Sequence, residues 1–554
     1  MGHSVEIIPL GGLGEFGMNC AVLRCGEEMI LIDAGVMFPN GSLRGLGLDL
    51  IVPDITFLKE NRKHIHCILL THGHEDHIGG LPFLVNEVPV PIYGSPLALG
   101  LVRNRLSERN LHHAVSLNPI KPRQKLQFGV FQVEPLHMTH SMPDSFSFAF
   151  RTPAGVVIWS GDFKFDQSPI DGRLSDMGRL AEYGDEGVLL LCSDSTNAAM
   201  AGLTPSEHSI REPLRAIFRK AEGRVFVSCF ASSIHRMQVV MDLAREFGRQ
   251  VIALGRSMVT NLELAQNLGY LKVPPEVLQP FSEHHRLAPE ETVFLATGSQ
   301  GEPRSAMNRL AYDQYRRIMI RDGDTVILST RIIPGNERSV TGMINHFYRR
   351  GAFVYDSRTS LVHSSGHGFQ ADLKILLNLT RPRYFVPTHG EYRQLAKHAG
   401  LAADQGLTAD RVQILESGQV LEVSEDRIHL KGKVPVGYRY IDAGNREEIG
   451  IDVIRERRCM AQDGIVLLYF PSVRPSKQEA APPEVILRGV LSGKTAAQLE
   501  ADLKRQALLA TADLSDSERR DEKLCAERVG RHLKRFLKKT IGKRPLIVPV
   551  FQKM

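Results

Sequence analysis

Along the first two hundred or so residues, short apolar runs alternate with glycine turns. VEIIPL, AVLRC, MILIDAG, CILLTH, VPIYGS, FQVEPLHMTH, FSFAFRT, VVIWSGDFKF and GVLLLCSDST succeed one another in this way. Apolar runs of this length bounded by turn residues predict strands. Several end in a polar cluster as the strand runs out, and in α/β folds the loops past a sheet edge carry the chemistry. From 206 to 362 the rhythm changes. RVFVSCFASSIHRMQVVMDLAREFG, QVIALGRSMVTNLELAQNLGY, TVFLATGSQGEP and DTVILSTRIIPGN pair strand-like runs with helical ones, which predicts βα units and a parallel sheet. Strand-to-polar-cluster patterning returns at YFVPTHGEYRQL, 426–454 reads as a linker, and 455–554 combines strand runs with a basic helical stretch.

Length adds that one core cannot serve the chain: 554 residues at roughly 100–200 per domain imply about three domains. Hydrophobic residues make up 43% and charged residues 23%, as in an ordinary globular enzyme, and the net charge of +6 suits an anionic substrate without requiring one. No run approaches the ~18–20 apolar residues of a membrane span, and the N-terminus lacks a charged segment followed by an apolar one. Seven scattered cysteines, without a CxxC pair, read as free thiols in a reducing cytoplasm.

Gly12, Gly14 and Gly17 satisfy GxGxxG after a strand, and Asp33 lies about where a ribose-binding acid would. That fingerprint needs a helix opening at the glycines. The next stretch of chain, NCAVLRCGEEMILIDAG, instead holds two β-type runs about a turn. The glycines are therefore expected to make tight turns near a functional edge.

The densest chemistry is LTHGHEDHIGGL, with His72, His74, Asp76 and His77 at a strand exit. Imidazole and carboxylate suit borderline divalent ions such as Zn²⁺ and Mn²⁺. Donors this close together cannot all reach one ion, so the pairs His72/His74 and Asp76/His77 predict parts of a binuclear centre. Similar strand exits offer His140, Asp162 and His389, which complete two sets of three ligands and a bridging carboxylate.

HxHxDH followed by a spaced histidine, aspartate and histidine resembles the metallo-β-lactamase superfamily. The inserted α/β segment resembles its β-CASP branch, which acts on nucleic acids. LCSDSTN puts Asp194 at that branch's motif A, HSSGH (363–367) matches motif B, and PTHGE puts His389 at motif C. With GGLGEFG, GDFKFD, TGSQGEP and a C-terminal domain, the array is similar over essentially the whole chain to the bacterial ribonuclease J family. The resemblance implies an α/β fold: a metallo-β-lactamase αββα sandwich (1–205 and 363–425), an inserted β-CASP domain (206–362), the linker and a small α+β C-terminal domain (455–554).

It also implies His72, His74 and His140 on one ion, Asp76, His77 and His389 on the other, and Asp162 bridging. The ions would be zinc or manganese, with magnesium an alternative, and a structural calcium would involve Asp49 and Asp442. The implied activity is 5′–3′ exonucleolytic cleavage of RNA, preferring 5′-monophosphate ends, together with endonucleolytic cleavage, in RNA processing and mRNA decay. Hydrolysis leaves 5′-monophosphates, with His367 protonating the departing 3′ oxygen and Asp194 orienting it. A phosphate pocket would draw on Ser232, Ser233, His235, His363, Ser364, Ser365, Gly366 and His367.

The stretch 527–545 predicts a helix with Leu533, Phe536, Leu537 and Ile541 on one face and Lys534, Arg535, Lys538 and Lys539 around the rest. In the resembling family this domain assists assembly, so a homodimer or homotetramer is expected, with RNA and proteins of an RNA-degradation complex as partners. The competing readings are a DNA-directed β-CASP nuclease and an inactive RNA-binding subunit of a degradation complex.

Overall fold

The computed structural model describes residues 3–39, 43, 45–315, 317–333, 335–471, 482–512, 514–515, 518 and 521–552. The chain forms two units, one of 1–38 with 51–438 and one of 39–50 with 439–554.

Two sheets build the centre of the larger unit. The first runs in the order Ile428–Lys433, Gln419–Ser424, Ser4–Gly11, Cys20–Cys25, Glu28–Ile32, Ile65–Leu69, Ile92–Gly94 and Leu117–Pro119. The second runs Tyr384–Thr388, Val188–Asp194, Gly155–Trp159, Ser145–Thr152, Phe131–Met138 and Leu126–Phe128. Their central strands are apolar on both faces because both faces are covered, while edge strands such as Ile428–Lys433 are largely exposed. In Ser4–Gly11, Val5 and Ile7 join the core between the sheets, while Ile8 and Leu10 belong to the helix-covered outer cluster. Phe131, Phe146, Phe148 and Phe150 fill the inter-sheet core, each fully buried ring contributing about 1.5–3 kcal/mol. On the outer face of the second sheet, Leu191 and Phe385 pack with Leu180, Leu373, Leu376 and Leu401 of three helices. The result is the αββα sandwich that the family resemblance implies.

Between the strands Val188–Asp194 and Tyr384–Thr388, which pair in parallel, the chain makes a further six-stranded sheet. Its order is Leu278–Gln279, Gln250–Leu254, Thr292–Ala296, Val225–Ser228, Thr325–Leu328 and Phe353–Asp356, all parallel. Val225 and Val227 face one core and Phe226 the other, since helices lie on both sides. The loops after Val225–Ser228, Thr292–Ala296 and Thr325–Leu328 leave the same edge of this sheet, where open α/β sheets bind ligands.

The 426–454 stretch carries structure of its own, with the strands Ile428–Lys433, Tyr438–Asp442 and Glu448–Ile449. In the smaller unit, Ile465–Phe470 pairs antiparallel with Glu484–Arg488 and parallel with Leu546–Phe551. The helices Lys494–Ala512 and Glu522–Ile541 supply Leu503, Leu533 and Leu537 to that unit's core. Phe536 and Ile541 pack at its margin, and Lys534, Arg535, Lys538 and Lys539 are exposed, as the helical spacing predicts. All seven cysteines are free. Among the described residues no helix is long and apolar enough to cross a membrane.

Candidate metal centre

The strand Ile65–Leu69 leads through a turn that holds His72 and His74 into a short helix, Glu75–Ile78, that carries Asp76 and His77, and the four donors fall into the same cluster. His140 follows Phe131–Met138, Asp162 follows Gly155–Trp159, and His389 follows Tyr384–Thr388, all at the same edge of the second sheet. Donor atoms of His72, His74, His140 and Asp162 lie within 4.8 Å of one another, as do those of Asp76, His77, Asp162 and His389. Asp162 belongs to both groups. Its Oδ2 is 3.2 Å from His77 Nε2, 3.6 Å from His72 Nε2, 3.8 Å from His389 Nε2 and 3.9 Å from His140 Nε2.

The arrangement fits divalent cations. His72 Nε2 and His74 Nδ1 stand 2.9 Å apart, and His140 Nε2 is 3.2 Å from the same His74 atom. Lone pairs directed at one another at such distances repel unless a proton or a cation lies between them. The outward nitrogens are held elsewhere. His77 Nδ1 meets Asp33 Oδ2 at 2.8 Å, His140 Nδ1 the Gly366 carbonyl at 2.8 Å, His389 Nδ1 the Asn19 Oδ1 at 2.6 Å and His72 Nδ1 the Thr71 hydroxyl at 3.0 Å. Outer partners of this kind fix the tautomer of a ligating imidazole. A mixed nitrogen and carboxylate set is suited to zinc or manganese.

Burial and mutual charge set the protonation of the ring cluster without ions. Burial drives His72 and His140 well below the usual histidine range and His74 down to about 4. Burial acts on His77 in the same direction, but Asp162, Asp76 and Asp33 outweigh it and hold that ring protonated. Burial works against the Asp162 carboxylate, yet the surrounding histidines keep it well below the usual carboxylate range. For His367, Asp194 and Asp162 overcome burial and raise the ring to about 9.

Asp194, at the end of Val188–Asp194, accepts from Thr196 N and Oγ1 through one oxygen and pairs through Oδ2 with His367 Nδ1 at 2.8 Å. Asp162, Asp194, His367 and His389 form a third close group. The loop 363–367 thus touches the cluster twice, through His367 and through the Gly366 carbonyl. A Cβ at Gly366 would lie 2.7 Å from His140 Cε1, so glycine is required by the approach to the histidine. Ser365 Oγ accepts from Asn197 Nδ2 at 2.8 Å, and Ser364 Oγ accepts from Lys164 Nζ at 3.2 Å and donates to the Pro205 carbonyl. His363 Nδ1, Ser228 Oγ and Ser299 Oγ are buried without a hydrogen-bond partner among the described residues. Burial and the nearby Arg236, Lys164 and Arg331 keep His363 neutral. Ser232 and Ser233 sit half-buried after Val225–Ser228, at the head of the helix Ile234–Glu246. His235 instead faces Asp171, its Nε2 3.5 Å from Asp171 Oδ2.

Asp49 and Asp442 lie in the smaller unit beside arginines. Asp442 Oδ2 bonds Arg457 Nη2 at 2.7 Å, and Asp49 Oδ2 is 3.9 Å from Arg446 Nε. Among the described residues neither joins a cluster of three metal-binding side chains. No local pattern in the sequence marks Asn19, Thr71 or Lys164, and Asp33 takes a place other than that of a ribose-binding acid. Asp33 has φ 59° and accepts from Thr71 N at 2.8 Å and Thr71 Oγ1 at 2.7 Å. Its only signal was a polar residue closing a buried strand. The GxGxxG glycines open no helix: Leu13–Gly14 instead pairs with Gly390–Glu391, beside His389.

Fold and site together define a metallo-β-lactamase-type hydrolase carrying an inserted α/β domain. Family models match it in chain order: the metallo-beta-lactamase superfamily over 13–224, the ribonuclease J beta-CASP domain over 222–347, the Zn-dependent metallo-hydrolase RNA specificity domain over 356–412 and the ribonuclease J C-terminal domain over 452–554. The chain is 41% identical to Ribonuclease J of Thermus thermophilus over 553 residues, 99% of this chain and 95% of that protein. It is 42% identical to Ribonuclease J of Synechocystis over 88% of this chain and 76% of that one, and 32% identical to Ribonuclease J2 of Bacillus subtilis over 100% and 99%. The chain belongs to the ribonuclease J family. A solved structure of an Enterococcus faecalis protein of unknown function shares the fold, with a TM-score of 0.53 and 13% identity over 76% of this chain and 100% of that one.

Proposed function

We infer that this chain, a metal-dependent ribonuclease by family, uses two zinc or manganese ions and degrades RNA from 5′-monophosphate ends, cutting internally as well. The observation that carries the reading is that two donor groups share Asp162. His72, His74 and His140 would hold one ion, Asp76, His77 and His389 the other, and Asp162 both. When bound, such a pair supplies Lewis-acid neutralisation of charge on the phosphate and a water of lowered pKa.

The chain's own groups do the rest. Asp194 holds His367 through Nδ1, which leaves Nε2 to deliver a proton to the departing 3′ oxygen, an acid catalysis worth about 10²–10⁴ in rate. Raised to about 9, His367 carries that proton at neutral pH. The 5′-phosphate pocket would be formed by Ser232, Ser233 and the loop 363–366, with His235 at its margin. The unpartnered Nδ1 of His363, next to Lys164, Arg236 and Arg331, supports an anionic occupant. The smaller unit is assigned to assembly into a homodimer or homotetramer.

The test uses metal-stripped protein restored with Mn²⁺, Zn²⁺ or Mg²⁺, and labelled RNA of one sequence in 5′-monophosphate, 5′-triphosphate and circular forms, beside the matching DNA. Activity should return only with metal. The monophosphate RNA should be degraded fastest, the circle cut more slowly and the DNA left intact. Equal rates on the two linear RNAs overturn the pocket, and equal cleavage of DNA overturns the RNA assignment.

A further inference from the structure

We propose that Asn19 is the positioning residue of the Asp76, His77 and His389 group, fixing the tautomer of His389 and the carboxylate of Asp76 with one amide. The inference rests on the two-ion reading above. Asn19 Oδ1 lies 2.6 Å from His389 Nδ1, and its Nδ2 lies 3.1 Å from the Asp76 carbonyl and 3.3 Å from Asp76 Oδ2. The orientation of the amide is set by these neighbours. Its Nδ2 also lies 3.1 Å from His77 Nε2, and turned over the amide would set its oxygen against the two Asp76 oxygens, which cannot donate, and against a His77 nitrogen whose lone pair would be directed at an ion. The carbonyl therefore accepts, Nδ1 of His389 carries the proton, and the lone pair on Nε2 points inward, 3.9 Å from Asp76 Oδ2 and 3.8 Å from Asp162 Oδ2.

Backbone contacts lock Asn19 in place. Its N–H donates to the Asp76 carbonyl at 2.9 Å, and its own carbonyl accepts from Gly35 N at 2.9 Å. Its side chain then reaches a ligand 370 positions away. That ligand needs holding, because His389 has φ 57°, in the left-handed region that non-glycine residues rarely adopt. The glycine run that imitates a dinucleotide motif makes room for the amide: Gly12 has φ 83°, and a Cβ there would collide with Asn19 Oδ1.

The test is a Co²⁺ titration of the metal-stripped full chain, followed by the visible absorption of the bound ion and by stoichiometry after dialysis. Wild type should take two equivalents. Asn19→Ala should weaken one of them about 10–100-fold in Kd and leave the other unchanged, the usual loss when an outer partner of a ligand is removed. Asn19→Asp keeps an acceptor for His389 but sets a second oxygen against the Asp76 carbonyl and Oδ2 in place of a donor, so it should bind that equivalent less tightly than wild type. Thermal unfolding of the metal-free variants should match wild type. Asn19→Ala binding both equivalents normally overturns the proposal, as does equal weakening of both, or an Asn19→Asp variant that binds both as wild type does. A wild type that binds fewer than two equivalents overturns the two-ion reading itself, and this proposal with it.

Discussion

Around Asp162 the ring nitrogens that face outward are held, by Asp33, Thr71, Asn19 and the Gly366 carbonyl, whereas at the edge of the inserted sheet His363, Ser228 and Ser299 keep buried polar atoms without partners among the described residues. The first region is braced before anything binds. Its donors cannot relax apart, so the favourable response to their mutual repulsion is to accept cations. The second region carries an unmet demand for hydrogen bonds, each costing about 1–3 kcal/mol until a ligand meets it. A braced region suits a group that stays through many turnovers, and an unsatisfied one suits a group that comes and goes. The loop 363–367 belongs to both.

The sharpest break of this comparison is Asp162→Ala. It removes the one carboxylate common to both donor groups, so hydrolysis should fall by about three orders of magnitude or more, since ionic stabilisation is worth several kcal/mol and each 1.36 kcal/mol is tenfold. Linear and circular RNAs should lose rate equally, as measured in parallel time courses with saturating metal. A residual preference for one of them would mean that the braced region also reads the RNA end.

Next in size is Asp194→Asn, which leaves the cage intact and disturbs only the ring that adjoins it. Rates should fall by about 10²–10⁴. The sign of the pH effect comes from His367, whose proton is held up to about 9 by Asp194 and Asp162 against burial. A proton donor works below its pKa, so kcat/KM declines as pH rises through that value. Without the Asp194 charge the ring releases its proton sooner, and the alkaline decline of the variant should begin at lower pH. A decline that stays in place would assign it to another group.

How legible these regions are in the sequence differs for a physical reason. The cage declares itself because His72, His74, Asp76 and His77 are crowded into one strand exit, and a strand exit has few other uses for such a set. His140, Asp162 and His389 are ordinary residues one at a time and become readable only as members of a pattern. The strands are visible as apolar runs between turns, whereas their αββα layering is implied by the family resemblance. The outer partners are not. Asp33 and Asn19 act at sequence separations of 44 and 370, and no local periodicity records which turn will pack on which. Asp33 was even legible as something else, a ribose-binding acid, because a strand-ending aspartate looks the same in either role. The expected pocket residues lie in serine- and glycine-containing loops, a composition that any turn can share. A lysine between two phenylalanines reads as a strand margin, yet Lys164 is fully buried, with Nζ 3.2 Å from Asp166 Oδ2.

The smallest expected effect sharpens the comparison most finely. His363→Leu keeps the bulk of a ring held neutral by burial beside Arg236, Lys164 and Arg331, and removes its unpartnered nitrogen. If that nitrogen meets a terminal phosphate, one hydrogen bond of about 1–1.5 kcal/mol is lost, which is roughly tenfold in the preference for 5′-monophosphate over 5′-triphosphate RNA. Cutting of circular RNA, which has no end to offer, should stay as in wild type. The ratio of the linear rates reports the pocket, and the circular rate reports the cage. A tenfold loss on circles as well would show that His363 acts through its own loop, by way of the Gly366 carbonyl on His140, and the division between a braced and an unsatisfied region would then fail at the one segment they share.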